Sequence, residues 1–172
     1  MQADALSSPT TALRWLVRLI QGWALLGGFV LLAVVLMTTV SAFTGFVFAT
    51  PFPGDFELTE MGVAVAAFAF LPYCQLTFSN VSADIFTQKA GPAVNRWLSR
   101  LGSLIALCFS VLLMWRMFEG LKDYQTYLET TTILQIPIWY AFVPTLASLA
   151  LLALAAIVTM VYPEGGDTPA PH

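Results

Sequence analysis

The sequence predicts an all-α integral membrane protein with four transmembrane helices and both termini in the cytoplasm. Three observations predict it. Apolar residues make up 58% of the 172 residues and charged residues 10%, where a soluble domain carries about a quarter charged residues. The charges fall in clusters, separated by long charge-free runs at 19–54, 61–83, 101–115 and 130–163. Trp15, Trp97, Trp115, Trp139 and Tyr162 fall near the edges of those runs, where amphipathic rings settle at a bilayer surface. A mean hydropathy of +0.79 excludes an ordinary soluble globule, a disordered chain and a collagenous chain.

Each span has its own limits. The run 19–54 is too long for one simple span: at about 1.5 Å per residue it passes well beyond the roughly 30 Å hydrocarbon core. Pro51, Pro53 and Gly54 break its end, so the expected helix covers about 15–43, followed by a loop. Gly22, Gly27 and Gly28 in this helix read as sites of close helix packing, and Trp23, deeper in the span, as a packing residue. The second span fits 61–83 directly, with a kink at Pro72 that neighbouring helices accommodate. The third is short unless extended to 97–118, with Arg100 and Arg116 extending their heads to the two interfaces. The fourth is expected over 138–162, just after Pro137, which suits a first helical turn. The segment 120–129, GLKDYQTYLE, either continues the third helix or forms a short interfacial helix between spans three and four. The tails 1–11 and 164–172 lack periodicity and read as flexible and solvated, and the whole is one four-span domain.

Orientation follows from the cations. Arg14, Arg18, Lys89, Arg96 and Arg100 lie on one side. Arg116 and Lys122 lie on the other, among Asp55, Glu57, Glu60, Glu119, Asp123 and Glu129. The positive-inside rule places the first side, with both termini, in the cytoplasm. The first apolar stretch far exceeds the 7–15 residues of a signal-peptide core, so no cleaved leader is expected.

The composition also limits the chemistry. A net charge of −3 and a pI near 4.9 offer no basic surface for nucleic acid. The single histidine is His172, which excludes bis-histidine haem ligation, histidine-based zinc sites and histidine-based acyl transfer. Cys74 and Cys108 lack CxxC spacing and read as small packing residues inside spans. There is no glycine-rich phosphate loop. No cofactor, metal site or catalytic residue is expected. A proton- or drug-coupled transporter ordinarily needs an ionisable group inside a span, and the charge-free runs hold none. The chain by itself therefore reads as a packing or docking module.

Residues 54–88 carry the most information. An acidic cluster, Asp55, Glu57 and Glu60, leads into the second span, and polar residues gather toward its far end. Gln75, Ser79 and Ser82 follow i, i+4, i+7 and share one helical face. In hydrocarbon such a face seeks protein, either spans one or three of the same chain or a larger membrane subunit.

This stretch resembles the small permease (DctQ-type) subunit of tripartite ATP-independent periplasmic (TRAP) transporters. The outline agrees over nearly the whole chain: about 170 residues, four spans and both termini inside. The more specific signals are the acid before span two, here Glu57 or Glu60, and the small-and-aromatic run with Phe70, Leu71 and Pro72. At the exit the family often reads His-x-x-Val-Asp; here it is Asn80, Val81, Ser82, Ala83 and Asp84.

The resemblance implies a bacterial or archaeal cytoplasmic (inner) membrane location and two protein partners. A large permease subunit would hold the substrate and sodium sites, and a periplasmic substrate-binding protein would deliver an organic acid or similar small solute. Sodium-gradient-driven uptake would belong to the complex, with this chain as scaffold. Under that reading Asp55, Glu57 and Glu60 are candidates for docking the binding protein, or else a solvated helix start favoured by the dipole. Gln75, Ser79, Asn80, Ser82 and Asp84 are candidates for the large-subunit face. Arg96 and Arg100, with Trp97, Trp115 and Trp139, would meet membrane lipids at the interface. Arg116 and Glu119, at i, i+3, are expected to pair locally. The alternative function is a membrane-embedded assembly or stability factor of another complex; a four-span enzyme using an interfacial carboxylate ranks below it.

Overall fold

The structure, a computed structural model, describes residues 11–77 and 92–161. Among them are four long helices: α1 Thr11–Phe48, α2 Asp55–Leu76, α3 Pro92–Thr126 and α4 Trp139–Val161. All four are long and apolar enough to cross a membrane.

α1 starts before residue 15 and runs past residue 43. Nothing in its sequence stops it sooner, because the hydroxyls of Thr38, Thr39 and Thr44 donate back to the carbonyls of Val35 and Val40 and leave no polar group unpaired. It ends where Ala49 turns left-handed at φ 53°, two residues before Pro51. α2 begins after Gly54 at φ 81°, with Asp55 and Glu57 in its first turn, where the helix dipole favours anions. Pro72 sits buried inside it, and residues 78–83 of the expected span lie outside the described residues. α3 resolves the two alternatives for 120–129, since it continues unbroken to Thr126. It stops as Leu128 turns left-handed and the Glu129 amide donates back to the Tyr124 carbonyl at 3.3 Å, a Schellman-type end. α4 begins two residues after Pro137 and carries Pro144 internally.

Burial identifies the central helix. Thr145, Ser148, Leu149, Leu152, Ala155, Ala156 and Thr159 of α4 are buried, a small-residue stripe at i, i+3/i+4, i+7 that lets backbones approach closely. α4 packs against both α2 and α3, and α1 packs against α2. The order across the molecule is therefore α1–α2–α4–α3, an open row in place of a closed bundle. α1 also reaches α4, the Trp23 indole donating to Ser148 Oγ at 2.8 Å. Trp23 is the packing residue its depth suggested.

The glycine reading needs correction. A Cβ on Gly27 would lie 2.7 Å from the Ala69 Cβ, so α1 and α2 touch there. Gly22 and Gly28 have nothing within reach of such a Cβ; they sit on turns of α1 that face away from α2. Large apolar side chains cover the outer surfaces, among them Leu25, Phe29, Leu36 and Phe43 on α1 and Ile105 and Leu112 on α3. Only a hydrocarbon or protein surrounding makes that surface stable.

Polar side chains tie the row together. The Gln75 amide of α2 donates to Thr159 Oγ1 of α4 at 3.1 Å. The Ser103 hydroxyl of α3 shares the same Oγ1 at 3.0 Å, and Thr159 in turn donates to the Ala156 carbonyl. Three helices meet at one hydroxyl, and all three side chains are buried.

Candidate functional site

The chemistry-bearing residues collect at the end of the row where α1 and α3 finish and α2 and α4 begin. The turn from α1 to α2 is fastened by Ser41, which is buried. Its hydroxyl donates to Asp55 Oδ2 at 2.6 Å and accepts the Phe52 amide at 3.1 Å. Asp55 Oδ1 accepts the Phe56 amide at 2.7 Å. The aspartate is thus committed to its own corner of the chain.

Glu57 is committed too, over a much longer sequence distance. Its Oε1 accepts the Ile133 amide at 2.7 Å and its Oε2 the Leu134 amide at 3.0 Å. These donors sit at the tip of the 127–138 loop, which keeps its own shape. Thr130 and Pro137 form an antiparallel bridge, the Thr131 amide donates to the Ile136 carbonyl, and the Ile138 amide to the Glu129 carbonyl. The Ile136 amide donates to Thr131 Oγ1 at 3.1 Å. The Leu134 side chain lies over Gly54 so closely that a Cβ there would overlap it. Glycine is required twice at this position, for that contact and for its positive φ.

Glu57 stands before the apolar run that opens at Met61. Partial desolvation pushes its carboxyl up, but donors from Leu134, Ile133, Thr131 and Thr132 outweigh this and hold it below the usual carboxylate range. A carboxyl lowered on folding stabilises the fold above its unfolded value and loses that contribution as pH falls through the folded one. The clamp is therefore complete at neutral pH.

Of the three acids expected to dock a partner, Glu60 alone is exposed at its helix surface. Gln75, placed by its sequence face among the large-subunit contacts, is turned into the chain's own core. Ser79, Asn80, Ser82 and Asp84 lie outside the described residues, as does the side chain of Arg96. Arg100, Trp97 and Trp115 are exposed, while Trp139 is half-buried and stacks on Tyr140 with centroids 4.3 Å apart. The expected Arg116–Glu119 pair is replaced by another: Glu119 Oε1 meets Lys122 Nζ at 3.0 Å. The acid then precedes the cation along the helix, the favourable order, and Lys122 also sits 4.5 Å above the Phe118 ring.

Sequence reasoning did not single out Ser41, took Gly54 only as a break after the first span, and did not single out Ile133 or Leu134. The first two flank the turn and carry a weak signal, a polar residue in an apolar helix and a glycine before an acidic turn. Ile133 and Leu134 act through backbone amides, which leave no trace in residue type. Among the described residues no three of His, Cys, Asp and Glu converge as a metal site would require. The arrangement holds segments in place and supplies an exposed acidic edge.

Comparison with known proteins identifies a family. The family model for tripartite ATP-independent periplasmic transporters, DctQ component, matches residues 34–163, from the middle of α1 past the end of α4. No curated protein and no solved structure matches significantly. With most of the chain covered, this four-helix protein belongs to the DctQ family, components of tripartite ATP-independent periplasmic transporters and not enzymes.

Proposed function

We propose that the chain is the scaffold of its transporter, binding the large permease subunit through its uncovered helix faces and helping to dock a periplasmic substrate-binding protein. The complex takes up an organic acid or similar small solute, driven by a sodium gradient. One observation carries the reading: the helices form an open row with apolar outer faces, and no Asp, Glu, Lys, Arg or His lies within 19–54, 61–83, 101–115 or 130–163. Such a slab widens a membrane assembly without offering a polar path of its own.

The cation count orients the row with Arg14, Arg18 and Arg100 toward the cytoplasm and anionic lipid headgroups. The Glu57 end then faces the periplasm. A reporter active only in the cytoplasm is expected to be silent when fused within 55–60 and active when fused after residue 161; the reverse pattern refutes this orientation.

Docking falls to Glu60, exposed on α2, because Asp55 and Glu57 are internal fasteners. The test is sodium-dependent uptake in liposomes holding both membrane subunits, with purified binding protein added. Omitting this chain is expected to abolish uptake. Glu60→Lys is expected to weaken binding-protein affinity about tenfold at low ionic strength and less at high, as a rim charge does. Unchanged affinity at both ionic strengths removes Glu60 from the interface. Uptake without this chain overturns the scaffold role.

A further inference from the structure

We infer that the 127–138 loop is a strap that opens and closes as a unit of its own, latched to α2 by a double lock, with the four helices undisturbed. One half of the lock is the Glu57 carboxylate on the Ile133 and Leu134 amides. The other is the Leu134 side chain seated on Gly54. This reading goes beyond the scaffold function and does not depend on it.

Three features separate the strap from the bundle. It is internally bonded through the Thr130–Pro137 bridge and the Thr131 hydroxyl, so it keeps its shape when lifted. Tyr127, Leu128 and Ile133 face outward, at 73%, 80% and 60% exposed, while Ile136, Pro137 and Ile138 are half-buried where the strap joins α4. Its contacts with α2 and the Gly54 cap are made at the two lock points. Finally, Gln135 beside the tip holds a left-handed φ of 51°, a conformation that non-glycine residues seldom adopt. Release of the tip lets this residue relax. Below it the base is fixed, since Tyr124 of α3 packs on Phe142 of α4 with ring centroids 5.0 Å apart.

The lock is cooperative by geometry. Leu134 contributes its amide to Glu57 and its side chain to the glycine seat, so loss of either weakens the other. With both made, the strap presents Leu128 and Ile133 in one fixed arrangement at the end of the row.

The test is amide hydrogen exchange on the full chain in lipid nanodiscs, comparing wild type, Glu57→Gln and Leu134→Ala. Glu57→Gln keeps size, removes the charge and turns one of the two accepting oxygens into an NH2 group that cannot accept an amide. Leu134→Ala empties the seat and leaves the carboxylate in place. Each is expected to speed exchange at Ile133 and at residue 134 by about tenfold or more, with the amides of α2 and α4 beyond their first turns unchanged. Unaltered exchange at the tip in both variants overturns the lock. Loosening of the tip and the helices together in both variants overturns the strap as a separate unit. Should Glu57→Gln fail to insert or fold, Leu134→Ala decides by the same two criteria.

Discussion

Gly27→Leu is expected to separate α1 from α2 and to destabilise the chain by about 3 kcal/mol, the upper end for overpacking a fitted interface. The contact is backbone on small side chain: Ala69 and the Ala66 carbonyl lie where the new atoms would go. No flexible chain end is available to move aside, so the helix axes must part. Trp23 lies one turn away on the same face of α1, and its bond to Ser148 breaks as α1 tilts off. The neighbouring Gly28→Leu supplies the control, since its position faces open space and its effect should stay within about 0.5 kcal/mol. Unfolding midpoints in mixed micelles check both. Equal effects at 27 and 28 refute the interface.

Thr159→Val is expected to cost about 2–4 kcal/mol although it preserves shape. The substitution removes the oxygen that receives Gln75 and Ser103, and each buried polar group left without that partner costs roughly 1–3 kcal/mol. Thr159→Ser should retain most of the stability. The informative variant is the triple change Gln75→Leu, Ser103→Ala, Thr159→Val, expected to recover much of the loss because apolar groups then replace all three side chains. If the triple variant is less stable than Thr159→Val alone, the node acts through something other than its hydrogen bonds. Thermal unfolding of the four proteins in one detergent decides it.

These two sites show what sequence reveals and what it hides. Four helices were legible because charge is costly in hydrocarbon, so charge-free runs map onto spans. Their ends were less legible. The expected limit of α1 came from bilayer thickness, whereas the chain stops only at Ala49 and Pro51, where backbone geometry forces it. Three glycines in α1 looked alike, and only rotation about the helix axis, set by α2, places Gly27 inward and its neighbours outward. The polar face at Gln75 was visible as a pattern, but a pattern does not say which helix receives it. The Glu57 clamp was invisible for a different reason. Its partners are backbone amides more than seventy residues away, and every residue but proline carries such an amide. The Glu119 pairing with Lys122 was hidden because cations stand three residues away on both sides of it.

The open row has a consequence for how such a chain finds its partner. Lipid tails solvate its outer faces as well as another protein's apolar surface would, so assembly gains little from excluding water. What remains is close packing, a few polar contacts and the release of ordered lipids. Association of that kind is governed by mole fraction within the membrane plane. Diluting the complex into excess lipid at constant bulk concentration should dissociate it, and returning lipid to the original ratio should restore it.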